Sequence, residues 1–265
     1  TGAPEPPAEP AGAIPAAAIE SGAPAPTAPA EHPAAPRWAG KRYTGAAVHV
    51  TFDGPRCIHA AECVRGLPAV FERNRRPWIL PDGAPAAEVA AVIERCPTGA
   101  LHYERLDGGP AEAPDATNTI RVRADGPYYV RGRLRVVTAD GALVAEDVRL
   151  ALCRCGHSQH KPFCDNAHIA AGFRDPGYVK PNEGTANDVA VNGVGAAPEP
   201  GELSIKTRKH GPLRLEGPFE VIGLDAESGG EAIHRAEETV LCRCGGSATK
   251  PFCDGSHKRN GFQAE

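Results

Sequence analysis

A pattern of cysteine and histidine that occurs twice constrains this chain more than any other feature. Each copy has two cysteines separated by one residue, a third cysteine after eight more residues, and a histidine after a further three. The positions are Cys153, Cys155, Cys164 and His168 in the first copy and Cys242, Cys244, Cys253 and His257 in the second. Because each span is too short to bury its own apolar core, we expect a soft metal centre to hold it.

The composition favours small lobes over one large core. Among 265 residues there are 30 glycines and 27 prolines, but only 7 phenylalanines and 5 tyrosines. Such a chain predicts turns, short strands and folded parts that depend on bound metal. We expect an α+β protein of two domains, or of one domain with appendages.

Charge and hydropathy exclude two classes of partner. The net charge is −4 and the sequence has no basic stripe with interleaved aromatic residues, so we expect no nucleic-acid partner. No apolar run approaches the roughly 20 residues of a membrane helix. The sequence therefore predicts a soluble protein with no membrane partner.

The nine cysteines predict metal ligation rather than disulfide bonds. A disulfide framework is typical of secreted chains much shorter than this one. The beginning of the sequence also lacks the charged and then apolar stretches of a signal peptide. These features indicate a reducing compartment, and we expect a cytoplasmic protein.

Changes in composition divide the chain into five segments. Residues 1–42, rich in alanine and proline, are predicted to be an extended tether, with a docking arm for a partner as the alternative. Residues 46–108 are predicted to form a small α+β lobe, because Val48–Phe52 alternates as a strand does and precedes a helical pattern that ends at Cys96.

The remaining segments carry the repeat. Residues 118–175 and 203–265 are predicted to be β-rich lobes, and residues 176–201 a linker. Both lobes contain Gly-Pro, four residues and Gly, but the offset of this motif is 85 residues, whereas that of the cysteines is 89. We therefore expect the four extra residues of the second copy in a loop at 225–231.

Iron suits the spacing better than structural zinc does. Zinc sites normally draw their ligands as spaced pairs, with about 12 residues between the pairs. Two sulfide-bridged irons need two ligands each. Cys153 and Cys155 would then hold one iron, and Cys164 and His168 the other.

The stretch Cys242–His257, with Cys-Asp-Gly-Ser-His at its end, closely resembles the mitoNEET-like CDGSH iron–sulfur domain family. Cys153–His168 is similar, but reads Cys-Asp-Asn-Ala-His. The resemblance implies two 2Fe–2S clusters, each held by three cysteines and one histidine. It also implies a β-rich dimer of lobes, which the tandem copies would form within one chain as a pseudo-dimer. We therefore expect a monomer with internal pseudo-two-fold symmetry.

Several neighbouring residues bear on cluster properties. Asn166 should fit the turn because asparagine tolerates a left-handed backbone, whereas Ala167 lacks the hydroxyl of the family motif, so the first cluster is expected to differ in potential or lability. Arg154 and Arg243 would offset cluster charge, or are solvated surface residues. His157 and His160 have no counterparts in the second copy and are expected at the surface.

A third site is predicted upstream. Cys57 and Cys63, followed by Cys96 before a proline, resemble the ligands of mono-cluster ferredoxins, but Ala60 occupies the position of the middle cysteine. The resemblance implies a ferredoxin-like lobe with a 3Fe–4S cluster. A 4Fe–4S cluster completed by His59 or a non-protein ligand, and three buried structural cysteines, are the alternatives.

Three centres without a recognisable substrate site predict an electron carrier rather than an enzyme. The partner would be an oxidoreductase or reductase. The alternative is a cluster store that donates to apo acceptors when protonation or redox change loosens the histidine–iron bond. A zinc-stabilised interaction module and a redox enzyme are further alternatives.

Overall fold

The computed structural model describes residues 40–179 and 201–265, and all structural statements concern these two ranges. Most of the predicted tether and linker lies outside them. A first strand begins at Lys41, so the last two residues of the predicted tether belong to this strand. Within the described ranges, no helix has the length and apolar character needed to cross a bilayer.

The N-terminal lobe is a three-stranded antiparallel sheet with two helices. Its strands are β1 (Lys41–Tyr43), β2 (Val48–Phe52) and β3 (Leu101–Arg105), in that order across the sheet. Its helices are α1 (Glu62–Gly66) and α2 (Ala86–Ile93). The predicted strand at Val48–Phe52 is thereby confirmed.

Helix α2 covers the sheet with its apolar face. Val89, Val92 and Ile93 are buried, as their helical spacing predicts, and they pack with Val48 and Val50. The sequence predicts a helical pattern that ends at Cys96, but α2 ends at Ile93, so Cys96 lies in the connection to β3. Strand, cysteine loop, helix, cysteine and strand occur in the predicted order, so the lobe is α+β.

The rest of the described chain forms one six-stranded sheet. Its first three strands are β4 (Thr119–Val122), β5 (Tyr128–Val137) and β6 (Leu143–Leu152), followed by helix α3 (Ala167–Ala170). The other strands are β7 (Leu203–Thr207), β8 (Leu213–Leu224) and β9 (Glu231–Leu241). Both repeats are β-rich, as predicted.

Two short strands join the repeats through the sheet. Strand β4 pairs antiparallel with β5 and parallel with β8, so that Ile120 lies opposite both Val130 and Val221. Strand β7 pairs antiparallel with β8 and parallel with β5. Each short strand thus forms backbone hydrogen bonds with a long strand of the other repeat.

The apolar faces of these strands form a common core. The buried side chains come from both repeats. They include Ile120, Tyr128, Val130, Val136, Leu150, Leu203, Ile205, Leu215, Phe219, Val221 and Leu241. Burial of apolar area is the main favourable term in folding, so the two repeats stabilise each other.

The extra residues of the second repeat lie in the β8–β9 hairpin, but most of them lengthen its strands and not the predicted loop at 225–231. The hairpin β5–β6 has strands of 10 and 10 residues, whereas β8 and β9 have 12 and 11. Asp225 begins the β8–β9 turn, and its carboxylate accepts hydrogen bonds from the backbone of Glu227 and Ser228. The insertion therefore lengthens one hairpin and leaves the cysteine loop unchanged.

Candidate metal centres

Each repeat brings its four predicted ligands together as two pairs. In the first, the Sγ atoms of Cys153 and Cys155 are 3.8 Å apart, and Cys164 Sγ lies 3.6 Å from His168 Nδ1. The corresponding distances in the second repeat, between Cys242 and Cys244 and between Cys253 and His257, are 3.8 and 3.4 Å. No larger group of Cys, His, Asp or Glu in the described ranges converges on one ion position.

The cysteines follow directly from the strands. Strand β6 ends at Leu152, immediately before Cys153, and β9 ends at Leu241, immediately before Cys242. The loop then turns back, since Cys164 N–H donates to the carbonyl of Ala151 and Cys253 N–H to that of Val240, both at 2.9 Å. The sheet thus fixes the first and third cysteine of each repeat.

Side chains inside each loop hold its shape. Ser158 Oγ donates to the Phe163 carbonyl at 2.7 Å, and Ser247 Oγ donates to the Phe252 carbonyl at the same distance. Asp254 accepts from the N–H groups of Ala248 and Ser256. Although burial alone would raise the pKa of Asp254, these hydrogen bonds lower it to about 2. Asp165 makes the same contacts in the first repeat.

Backbone N–H groups point at the sulfur atoms. His157 and Asn166 donate to Cys155 and Cys164 at 3.4 Å. Gly246 and Gly255 donate to Cys244 and Cys253 at 3.4 Å. Hydrogen bonds to the charged form of a group favour that form, so they oppose burial, which still raises the pKa of Cys164 to about 11 and also raises that of Cys253. In each Cys-x-Cys pair, one thiol also has a lowered pKa because its partner donates a hydrogen bond to it.

The histidine of the first repeat favours its neutral form. Burial lowers the pKa of His168, and the nearby guanidinium of Arg154 lowers it further. Neutral imidazole is the form that binds metal. His157 and His160 are exposed, as predicted for surface residues.

The arginines between the paired cysteines are buried, so the alternative that they are solvated is wrong. Arg154 is 1% exposed and Arg243 is fully buried. Their Nε atoms donate to the carbonyls of Gly126 and Gly211, each at 2.9 Å. These glycines begin the repeated Gly-Pro motif, whose first carbonyl therefore accepts a hydrogen bond from the buried arginine of the same repeat.

The two arginines differ in charge compensation. Arg154 forms an ion pair with Asp175, whose side chain is 12% exposed. Ala264 occupies the equivalent position in the second repeat, and the hydrogen bonds found for Arg243 in the described ranges go to backbone carbonyls. Burial lowers the pKa of Arg243 to about 10. The arginine of the second repeat thus lacks the carboxylate side chain that pairs with Arg154.

The two cysteine loops meet back to back. Cys155 and Cys244 form an isolated antiparallel bridge. Gly156 and Gly245 beside them have φ of 84° and 76°, and a Cβ on either would lie 2.6 Å from the carbonyl oxygen of the opposite cysteine. Only glycine allows this approach.

The upstream cysteines line one small cavity of about 30 Å³, which is partly open to solvent. Cys57 precedes α1, Cys63 lies within it and Cys96 follows α2. Burial, together with charge repulsion from the other two cysteines, raises the pKa of Cys63 to about 11. The three thiols are therefore close enough to act on one centre.

Two residues near Cys57 and Cys63, His59 and Glu62, bear on the question of a fourth ligand at this site. His59 is exposed and is not among the residues that line the cavity, whereas Ala60 is. Glu62 also lines the cavity, and sequence reasoning overlooked it because a lone glutamate beside a cysteine has no distinctive spacing.

Comparisons with known proteins assign families to these regions. A family described as "Divergent 4Fe-4S mono-cluster" matches residues 43–106. A family described as "Iron-binding zinc finger CDGSH type" matches residues 125–169 and 210–258.

Two curated relatives are similar to part of the chain. The proteins called YjdI of Escherichia coli strain K12 and of Escherichia coli O157:H7 are each 46% identical over 61 residues, which is 23% of this chain and 80% of the relative. Both are described as uncharacterized. No solved structure matches. The chain belongs to the iron–sulfur proteins, with a divergent 4Fe–4S mono-cluster domain followed by two CDGSH-type iron-binding regions.

Proposed function

We propose that this chain is a cytoplasmic electron-transfer protein with three iron–sulfur clusters. The observation that carries the proposal is that three cysteine-rich sites occur in one folded unit, two with their predicted ligands in close pairs and one with three cysteines around a single cavity. Iron–sulfur clusters supply one-electron chemistry, and the residues around them set charge, hydrogen bonding and burial.

Each CDGSH site would hold a 2Fe–2S cluster. The paired distances support one iron on the Cys-x-Cys pair and a second on the third cysteine and the histidine. The N–H groups directed at sulfur support thiolate ligands. The ligands would be Cys153, Cys155, Cys164 and His168, and Cys242, Cys244, Cys253 and His257.

The N-terminal site would hold a 3Fe–4S or a 4Fe–4S cluster. Its three cysteines, Cys57, Cys63 and Cys96, match the three protein ligands of the smaller cluster. The family description names the four-iron type. A fourth iron would need one more ligand, and Glu62, which lines the cavity, or a non-protein ligand is better placed for this role than the exposed His59.

The CDGSH regions would form an intramolecular pseudo-dimer in a monomeric protein. The reciprocal pairing of β4 and β7 supports this reading, because each register recurs in the other repeat with the 85-residue offset. The meeting of the two cysteine loops at Cys155 and Cys244 lies on the same pseudo-axis. The partner would be a redox protein that docks transiently.

The experiment is an iron and acid-labile sulfide count on the full chain, with electron spin resonance of oxidised and reduced protein. Two 2Fe–2S clusters and one 3Fe–4S cluster require about 7 iron and about 8 sulfide per chain. About 8 iron would assign the four-iron cluster, and about 4 would make the upstream cysteines structural. Zinc, or a colourless anaerobic preparation, would refute the proposal.

Cluster donation is the second candidate, favoured by the half-buried thiols of Cys244 and Cys253. Incubation with an apo-ferredoxin distinguishes the two functions. Rapid appearance of holo-ferredoxin supports donation. Clusters that stay bound through repeated reduction and oxidation support electron transfer.

A further inference from the structure

The N-terminal cysteine loop packs directly on the first CDGSH site. Asn166 Nδ2 donates a hydrogen bond of 2.6 Å to the carbonyl of Ile58, which follows Cys57. The Ile58 side chain is buried against Ala151 and Cys164. A ligand loop of one predicted site therefore contacts a ligand loop of another.

Buried polar contacts hold the two lobes in this position. Arg56, which precedes Cys57, forms a 2.5 Å ion pair with the fully buried carboxylate of Asp147 and donates to the Thr98 carbonyl at 2.6 Å. Gly99 lies so close to β6 that a Cβ there would be 2.4 Å from the Arg149 carbonyl oxygen. The chain on both sides of the N-terminal site is thus fixed to the first repeat.

Tyr129 lies between the two sites. Its side chain packs against the cluster formed by Ile58, Ala151 and Cys164. Ala60 of the N-terminal loop packs against the same three residues. Tyr129 therefore lies where the two ligand loops meet.

The residues that make these contacts belong to the first repeat alone. At the positions of Asn166, Asp147 and Tyr129, the second repeat has Gly255, Ala236 and Arg214. The difference also appears in exposure. Cys155 and Cys164 are 5% and 4% exposed, whereas the equivalent Cys244 and Cys253 are only half-buried.

We propose that Asn166 is a positioning residue that seats the N-terminal cysteine loop on the first CDGSH site, so that these two centres form one electronically coupled pair. The second CDGSH site is then the more exposed of the two CDGSH sites. This inference rests on the proposed function. It also explains why asparagine replaces the glycine of the family motif, because glycine has no amide to reach Ile58.

The test compares Asn166→Gly with Gly255→Asn in the full chain. Asn166 has φ of 69° and Gly255 of 82°, so each residue is acceptable at the other position. Two measurements follow: hydrogen exchange of the peptide around Ile58, and the enhancement of the spin relaxation of the first 2Fe–2S centre by the N-terminal centre. Asn166→Asp, which keeps the shape but removes the donor, is the second variant.

Asn166→Gly is expected to speed exchange of the Ile58 peptide about fivefold, the effect of one lost hydrogen bond, and to reduce the relaxation enhancement. Asn166→Asp should do the same, and Gly255→Asn should change neither. Unchanged relaxation in both Asn166 variants, with all clusters present, overturns the positioning role and leaves the proposed function intact. A wild-type protein without reducible clusters overturns both.

Discussion

The two buried arginines differ in a single charged neighbour, and this is the main asymmetry at the scale of single residues. Arg154 is neutralised by Asp175, whereas Ala264 stands at that position beside Arg243. Positive charge near a cluster favours the reduced state. The second CDGSH centre is therefore expected to have the higher reduction potential.

Replacement of Asp175 by asparagine should raise the potential of the first centre toward that of the second, because it removes the carboxylate that compensates Arg154. Ala264→Asp is the matched reverse change and should lower the potential of the second centre. Redox titration followed by spin resonance measures both. Potentials that move together in either variant would contradict a local charge effect.

His102 provides a second residue-scale prediction, at the contact between the N-terminal lobe and the first repeat. Its Nδ1 lies 3.0 Å from Glu112 and its Nε2 3.6 Å from Asp147. Burial lowers the pKa of His102, but the hydrogen bonds to Asp147 and Glu112 outweigh burial and raise it. Arg56 and Arg149 pair with the same carboxylates.

The raised pKa of His102 makes folding pH-dependent. The stabilisation is complete below the unfolded pKa of about 6.5 and is lost as pH rises through the higher folded pKa. His102→Gln should remove this contribution to the change of the free energy of unfolding with pH. Denaturant unfolding of both proteins between about pH 6 and pH 9 measures it. Parallel curves for the two proteins would exclude His102 as the titrating group.

At the scale of elements, the contact between the two cysteine loops depends on close backbone approach. Gly156 and Gly245 each have a positive φ, and a Cβ added to either would lie 2.6 Å from the carbonyl oxygen of the opposite cysteine. Gly172 also has a positive φ, of 61°, but nothing lies within 4 Å of a Cβ there. Alanine variants of these glycines therefore distinguish the free-energy cost of the left-handed backbone from the cost of steric overlap.

Gly172→Ala should lower the free energy of unfolding by about 1–2 kcal/mol, the cost of a left-handed alanine. Gly156→Ala should lower the free energy of unfolding by clearly more, because the two cysteine loops must also move apart. Thermal or denaturant unfolding under matched cluster loading compares them. Equal losses would mean that the loops separate without cost.

At the scale of the whole molecule, the two repeats share one sheet and one core. Strand β4 of the first repeat pairs with β8 of the second, and β7 of the second repeat pairs with β5 of the first. Each repeat therefore relies on a strand of the other to pair one edge of its long strand. Shared burial of this extent predicts one cooperative unfolding transition for the two repeats.

Cleavage at a protease site inserted between residues 180 and 200 should leave the two halves associated. The cross-repeat strand pairs and the common core do not need the covalent connection. Size-exclusion chromatography of the cleaved protein, with and without denaturant, tests this expectation. Separation into two folded fragments under native conditions would contradict the shared core.

Much of the architecture was predictable because its signals are local. The strand at Val48–Phe52 follows from alternation, and the apolar face of α2 follows from helical spacing. The longer β8–β9 hairpin follows from the difference between two offsets. The burial of Arg154 and Arg243 was not predictable, because an arginine between two cysteines looks the same in sequence whether it is solvated or enclosed.

The sequence by itself determined the family and the candidate ligands, because each cysteine–histidine set is confined to sixteen consecutive residues. Only the tertiary structure decided which repeat receives the N-terminal lobe and which arginine meets a carboxylate. Asn166 and Ile58 are 108 positions apart, and Arg56 and Asp147 are 91 apart. Contacts at such separations depend on how lobes pack, which no local spacing encodes.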